Sequence, residues 1–271
     1  MEAPKQRSRL SQVFLHTNWP CEKLADLLLQ HSICSVLEIG PGKGILTDSL
    51  LKRNFKVTCV ERDLRFFTYL QQRYPSVISE HRLFLVHDDI LRFDFAAWIA
   101  QAQGPVAICG NIPYHISTPL LESIFPHLGR LAIAVLLVQL EFAERLVSEP
   151  GFKSYGSLSV FAQLRANLSL VAKVERTCFV PVPKVDSAII ALLPKTECAE
   201  PILLRKVEKL TKFAFSQRRK KIRNALSKFL ETVDKDRVSL DLSRRPDTLS
   251  PIEYLELAKT FQDSPFFDGI Q

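Results

Sequence analysis

Ser35-Val36-Leu37-Glu38-Ile39-Gly40-Pro41-Gly42-Lys43-Gly44 decides how the rest of the chain is read. Residues 35–39 are apolar around a single acid, which suits a short buried strand. The glycines that follow break any period and let the backbone approach a ligand closely. A helical run over 45–53 comes next, and the first N–H groups of a helix have no carbonyl partners of their own. Strand, glycine turn and helix in this order predict one unit of an α/β nucleotide-binding sheet.

Moving outward, residues 56–60 read as the next strand and end in Glu61, roughly twenty residues past the glycines, where such sheets place an acid on ribose hydroxyls. Three cofactor classes compete for this pattern. A phosphate loop needs Gly-Lys followed by Ser or Thr, and Lys43 is followed by Gly44, so a nucleoside triphosphate is excluded. A dinucleotide sheet carries G-x-G-x-x-G, whereas this chain has G-x-G-x-G with Glu38 on the strand just before it. An acid aimed at the glycine turn repels a pyrophosphate and favours a cation. S-adenosylmethionine, with its sulfonium and ammonium charges, fits. After a further strand at 83–86, the Asp89 carboxylate can accept a hydrogen bond from an adenine amine, with Ile90 against the ring. A solvated turn or a cap for a helix at 95–101 is the alternative reading of Asp88-Asp89.

Residues 105–109 are again an apolar strand, and they lead into Gly110-Asn111-Ile112-Pro113-Tyr114-His115-Ile116-Ser117-Thr118-Pro119. Groups at the carboxyl end of such a strand are placed to meet a substrate. Asn111 supplies a carbonyl acceptor, Pro113 fixes the backbone beside the Ile112 carbonyl, and Tyr114 offers a flat face. Acceptors beside a ring suit a planar amine, although Asn-x-Pro with a nearby Tyr is also common turn chemistry. His115 reads as a structural or surface group rather than a proton acceptor.

The remaining segments complete the sheet. Helices are expected at 19–30, capped by Asn18, and at 140–147 and 157–166; strands at 131–138, 168–174 and 187–193; and a Pro/Gly loop at 149–156. This makes about seven strands, the last few antiparallel. Beyond Pro194 strand patterns cease, and helical runs fall at 203–215, 218–230, 235–242 and 251–261. Two domains follow: an α/β domain over 1–193 and a small all-helical domain over 194–271.

With 46% apolar and 24% charged residues among 271, the composition is that of a soluble globular protein. No apolar run is long enough to cross a bilayer, and no apolar h-region follows Lys5, Arg7 and Arg9. Cys21, Cys34, Cys59, Cys109, Cys178 and Cys198 form no C-x-x-C pair, so reduced core cysteines, a cytoplasmic location and no metal site are expected. The net charge of +7 is concentrated. Arg205, Lys206, Lys209, Lys212, Arg218, Arg219, Lys220, Lys221 and Arg223 face the single acid Glu208 within 205–223. A solvated helix face or a contact to phosphate backbone explains such a run.

These motifs together resemble the ribosomal RNA adenine dimethyltransferases, most closely the bacterial KsgA type that modifies two adjacent adenines near the end of small-subunit rRNA. The resemblance covers nearly the whole chain: residues 36–44 as the cofactor glycine motif, 110–119 as N-[IL]-P-Y with its I-S-T-P tail, Tyr155-Gly156-Ser157-Leu158-Ser159, residues 179–187 as F-x-P-x-P-K-V-D-S, and 215–226 as F-x-Q-R-R-K-x-x-R-N-A-L. It implies a class I, Rossmann-like methyltransferase fold with S-adenosyl-L-methionine as cofactor. It implies cofactor contacts at Leu15, Gly40, Gly42, Glu61, Asp89 and Asn111, and target-adenine contacts at Asn111, Tyr114 and Phe179, the last two sandwiching a base that has left its stack. It further implies RNA contacts through Arg218, Arg219, Lys220, Lys221 and Arg223, and a monomer that acts on the immature small ribosomal subunit. One position departs: where the family has Gln-Asn-Phe-Leu, this chain has Gln12-Val13-Phe14-Leu15, so the amide of that Asn is missing. Two other readings share parts of the pattern: a large-subunit rRNA methyltransferase of the macrolide-resistance type, and a non-catalytic rRNA-binding assembly factor.

Overall fold

A computed structural model describes residues 13–196, 199–233 and 238–269. Ser11, Gln12, Cys198 and residues 235–237 of the helix expected at 235–242 lie outside the described residues.

The strands are β1 (Phe14–Leu15), β2 (Ser35–Ile39), β3 (Lys56–Glu61), β4 (Leu83–His87), β5 (Val106–Asn111), β6 (Ile133–Gln139), β7 (Ala166–Val174), β8 (Phe179–Val180) and β9 (Ser187–Pro194). Seven of them form one sheet in the order β4-β3-β2-β5-β6-β9-β7. β2 runs parallel to both β3 and β5, and β9 runs antiparallel to β6. The seven-stranded mixed sheet expected from the sequence is therefore present. Its centre is apolar on both faces, with Val36, Leu37, Ile39, Ala107, Ile108 and Cys109 all buried. Ile39 pairs with Val60 on one side and Gly110 on the other. That register carries Gly40, Glu61 and Asn111 to one edge of the sheet, where parallel strands end together.

The helices are α1 (Trp19–Leu29), α2 (Ile45–Lys52), α3 (Leu64–Arg73), α4 (Pro75–Ser79), α5 (Phe95–Gln101), α6 (Ser117–Ile124), α7 (Leu140–Val147), α8 (Ser157–Gln163), α9 (Pro201–Ser216), α10 (Ile222–Ala225), α11 (Ser227–Leu230) and α12 (Pro251–Thr260). Asn18 sits at the start of α1, but its side chain accepts no capping hydrogen bond; its backbone carbonyl takes the Glu22 N–H at 2.9 Å. The helix expected over 218–230 is broken. Four consecutive cations offer no acid for helical pairing, and the Ile222 and Arg223 amides bond instead to the Arg244 and Leu242 carbonyls at 2.8 and 3.1 Å. Those contacts hold the chain around 242 in turns, so 238–242 is not helical.

The chain divides into two compact units, one of Met1–Ala143 with Ser169–Pro194 and one of Glu144–Leu168 with Lys195–Gln271. The second unit thus includes a segment that the sequence reading placed in the first domain. Packing explains it: Tyr155, Val160 and Leu164 share an apolar core with Leu210, Phe229 and Tyr254. Two hydrogen bonds reinforce that core, Tyr155 Oη to the Leu249 carbonyl at 2.7 Å and Ser157 Oγ with Thr211 Oγ1 at 2.8 Å. In the first unit, β1 and β8 form an antiparallel ribbon with Leu15 opposite Phe179. Strands of two residues show no periodicity, so this pairing leaves no sign in the sequence.

Candidate active site

The glycine turn is shaped to leave space. Gly40 has φ +62°, a conformation that side chains rarely adopt, and a Cβ built on it would meet nothing within 4 Å. Glu61, at the end of β3, grips the turn: its Oε2 accepts the Gly42 N–H at 3.1 Å and its Oε1 accepts the Asp63 N–H at 2.8 Å. Burial raises the Glu61 pKa, and these backbone bonds partly oppose the rise. Glu38 is 1% exposed. Its Oε2 accepts from Thr47 Oγ1 at 2.7 Å and from the Cys59 thiol at 3.3 Å. Burial still pushes its pKa up to about 7.

Two cavities adjoin along Gly40, Glu61 and Pro113. One is lined by Leu15, Glu38, Gly42, Asn111 and Tyr114, and the other, of about 560 Å³, by Arg62, Asp89, Ile90 and His115. The sequence-expected cofactor residues Leu15, Gly40, Gly42, Glu61, Asp89 and Asn111 are therefore brought together, with Tyr114 beside them. Asp89 is held in place on both oxygens: Oδ1 accepts the Leu91 N–H at 3.1 Å, and Oδ2 lies 3.3 Å from Arg62 Nη1. It does not cap α5; Asp94 does, accepting the Ala97 N–H at 2.9 Å. Phe179 stands apart from the cavities. It is 1% exposed and packs in the core with Leu15 and Cys21.

At the end of β5 the Asn111 amide is oriented by the residue just before the ribbon, since Nδ2 donates to the Val13 carbonyl at 3.2 Å. This leaves Oδ1 without a donor among the described residues. The Ile112 N–H continues the sheet to the Leu137 carbonyl at 2.9 Å, while the Ile112 carbonyl meets no donor among the described residues. Two consecutive residues that line the cavity thus each keep an acceptor without a donor among the described residues. Tyr114 Oη bonds Ser187 Oγ at 3.0 Å, and burial raises the phenol pKa, so it is a neutral ring at neutral pH. Phe14 closes the other wall: its ring lies 5.2 Å from that of Phe66, under the Lys43 ammonium at 5.0 Å. Sequence reasoning missed the parts played by the Val13 carbonyl, Phe14 and Ser187. Ser187 stood in a quoted motif, but a backbone carbonyl leaves no mark in a sequence.

The donor set suits a particular ligand. Carboxylates at Glu61 and Asp89 can accept from hydroxyls and an amine, Glu38 adds an acid near the turn, and the space above Gly40 admits a chain that side chains elsewhere would block. Among the cations of the 218–223 run, Arg218 is already engaged: Nη1 donates to the Lys153 carbonyl at 2.8 Å, Nη2 to the Phe152 carbonyl at 3.0 Å, and Nε to Asp247 Oδ2 at 3.2 Å. Arg219, Lys220, Lys221 and Arg223 are exposed.

Residues 3–263 match the family described as Ribosomal RNA adenine dimethylase. The chain belongs to that family. As a member it is an S-adenosylmethionine-dependent rRNA adenine dimethyltransferase, and the residues described above fit that cofactor. It is 34% identical to the Ribosomal RNA small subunit methyltransferase A of Photorhabdus laumondii over 96% of this chain and 94% of that one. It is 35% identical to the protein of the same name from Erwinia tasmaniensis, with the same coverage of both. Among solved structures it is similar to the 23S rRNA methyltransferase ErmE, with a TM-score of 0.71, 26% identity, and coverage of 92% of this chain and 99% of that one. A dimethyladenosine transferase from Plasmodium falciparum gives a TM-score of 0.71 at 25% identity, covering 92% and 98%. Among the described residues, no helix is long and apolar enough to cross a membrane.

Proposed function

We propose that this dimethyltransferase acts on small-subunit rRNA, converting two adjacent adenines near its 3′ end to N6,N6-dimethyladenine, as a monomer on immature small subunits in the cytoplasm. The motif run at 215–226 and the relatives named for the small subunit support that target over the large subunit. The observation that carries the chemistry is the Asn111 amide, which lines the cavity and whose N–H bond to the Val13 carbonyl leaves its Oδ1 without a donor among the described residues.

An adenine exocyclic amine is a poor nucleophile because its lone pair is delocalised into the ring. In the first transfer Asn111 Oδ1 and the Ile112 carbonyl each accept one amine hydrogen, and in the second one of them accepts the hydrogen that remains. This favours a pyramidal nitrogen with its lone pair toward the methyl donor, and the proton lost from nitrogen in each round passes to solvent. Bound S-adenosylmethionine supplies an electrophilic methyl group. Leu15, Gly40, Gly42, Glu61 and Asp89 hold that cofactor, and Tyr114 supports the flipped base with its ring, steadied through Ser187. Phe179 joins the base-binding wall only if it leaves the core contact with Leu15. No general base is needed, because alignment of nucleophile and methyl group supplies much of the barrier reduction. His115 lines the neighbouring cavity and is exposed, and the transfer is accounted for without it.

Radiolabelled methyl transfer to unmodified small and large subunits, followed by primer extension, tests this. Stops at two adjacent adenines near the 3′ end of small-subunit rRNA are expected. Stops confined to large-subunit rRNA would favour the reading that the similarity to ErmE suggests.

A further inference from the structure

The loop at 149–155 uses more hydrogen bonds than a connection between two helices requires. Gly151 has φ +91°, and its N–H bonds the Asp247 carbonyl at 2.7 Å. The Phe152 carbonyl takes both the Tyr155 N–H at 3.1 Å and Arg218 Nη2 at 3.0 Å, and the Lys153 carbonyl takes Arg218 Nη1 at 2.8 Å. Arg218 is in turn braced by Asp247. The product of this fixed backbone is an aromatic ring held out of the protein: Phe152 is 62% exposed.

A single exposed apolar side chain is ordinary on a protein surface. This one differs in two respects. Its backbone is immobilised from three directions, so the ring is presented at little cost in ordering on binding. Exposed cations outnumber the acids close to it in the chain: Lys153 follows it, and Arg219 and Lys220 follow the Arg218 that bonds its carbonyl, while the carboxylate of Asp247 is taken up by Arg218 itself. Glu149 is the only acid in the loop. A flat apolar face among cations is complementary to an unpaired nucleotide, whose base stacks while its phosphates meet the charges. A protein partner of ordinary composition gains less from such surroundings.

We propose that Phe152 is a stacking platform for one unpaired base of the RNA substrate, outside the methyl-transfer cavities, with Lys153, Arg219 and Lys220 contacting the adjoining phosphates. Arg218 is the positioning residue of this platform. The proposal rests on the rRNA-modifying function and adds a specific contact to it.

The test is equilibrium binding of the full chain to a protein-free RNA fragment from the 3′ region of the small-subunit rRNA, across a range of salt concentrations. Phe152→Ala should weaken binding about tenfold, the scale of one base–aromatic stack, without changing the salt slope. Phe152→Trp should restore affinity, and its added indole fluorescence should be quenched by RNA. Lys220→Ala should instead lower the salt slope. An unaltered melting curve for Phe152→Ala is expected, because most of the ring is already exposed. Wild-type affinity of Phe152→Ala overturns the proposal. So does a loss seen only on assembled subunits and not on bare RNA, which would make a ribosomal protein the occupant. If the wild-type chain itself binds no small-subunit rRNA, the proposed function falls with the inference; if it binds and methylates while Phe152→Ala behaves identically, the inference alone falls.

Discussion

At the carboxyl ends of β2, β3 and β5 the chemical groups are placed by the parallel ladder itself, whereas the loop at 149–155 is placed by side chains from elsewhere in its unit. Gly40, Glu61 and Asn111 sit where three strands of one register stop. Phe152 sits where Arg218 and Asp247 hold it. The first arrangement comes with the fold and tolerates sequence change beyond the strand ends. The second depends on individual side chains and can be dismantled by one substitution. The two regions should therefore respond differently to mutation, the first in chemistry and cofactor affinity, the second in local stability and RNA affinity.

The strongest test of the first half is Asn111→Ala. It removes one amine acceptor and the tether to Val13, and a fall in single-turnover methyl transfer on the order of 10²- to 10³-fold is expected, the scale of deleting one preorganised polar group at a reacting centre. A change below threefold would show that the amine is oriented by other groups. Next in size, Glu61→Ala removes an acceptor from the cofactor cavity and also frees the Gly42 and Asp63 amides. S-adenosylmethionine affinity measured by calorimetry should weaken by about 10- to 100-fold, from the loss of one or two hydrogen bonds to a charged group. RNA affinity should stay the same.

For the second half, replacing Arg219, Lys220, Lys221 and Arg223 together by Ala should weaken RNA binding by about tenfold or more and flatten its salt dependence, because each lost phosphate contact lowers the slope by roughly 0.7–0.9. Arg218→Ala should act otherwise. It breaks the two hydrogen bonds that hold the loop and the brace to Asp247, so a lower melting temperature and easier proteolysis near Phe152 are expected, with little change in salt slope. If Arg218→Ala instead reproduced the salt effect of the exposed cations without loss of stability, the distinction between bracing and phosphate contact would fail.

The same contrast explains what the sequence disclosed. β2, α5 and α7 fall where their patterns place them, because a short apolar run ended by glycines marks a buried parallel strand and amphipathic helices write their period into the chain. The acids Glu61 and Asp89 were legible for the same reason: Glu61 closes one recognisable strand and Asp89 follows within three residues of another. The β1–β8 ribbon was not, since two-residue strands have no period and pair across more than 160 positions. The bracing role of Arg218 was hidden too. In sequence it is one cation in a run, and only the folded chain brings the Phe152 and Lys153 carbonyls to it. The inclusion of 144–168 in the second unit was invisible because Tyr155, Val160 and Leu164 look like any apolar face until their partners on α9 and α12 are known.

Glu38 offers a pH test of the ladder side. With its pKa raised by burial to about 7, against 4.5 for an ordinary glutamate, the folded chain keeps a proton that the unfolded chain has released between those values. The stability that comes from this proton is therefore full below about pH 4.5 and is lost as pH rises through about 7. A cation bound in the cavity that Glu38 lines favours the ionised carboxylate, so cofactor binding should release a proton near pH 6.5. Affinity should rise by up to about tenfold from pH 6 to pH 8 and then level. Calorimetry in buffers of different ionisation heat measures that proton, and Glu38→Gln should abolish both the release and the rise. A proton taken up on binding would refute the assignment.

The smallest effect is expected at Val13, and it bears on both kinds of placement at once. Residue 13 contributes to the site through its backbone: its carbonyl accepts the Asn111 amide, and the β1–β8 ribbon holds it there whatever side chain it carries. Its side chain lines the cavity and, being Val, offers no polar group to a cofactor. Val13→Asn should therefore add one hydrogen bond on the cofactor side and tighten S-adenosylmethionine binding by about threefold, within the range of a single neutral hydrogen bond. The rate of transfer at saturating cofactor should not change, because the carbonyl that orients Asn111 is untouched. A tighter cofactor with an altered rate would mean that the new amide competes for Asn111, and that the ribbon fixes the backbone less firmly than the pairing of Leu15 with Phe179 implies. Equal or weaker cofactor binding would mean that the cavity wall near Phe14 has no place for the amide, and that this chain binds its cofactor fully through the ends of the sheet.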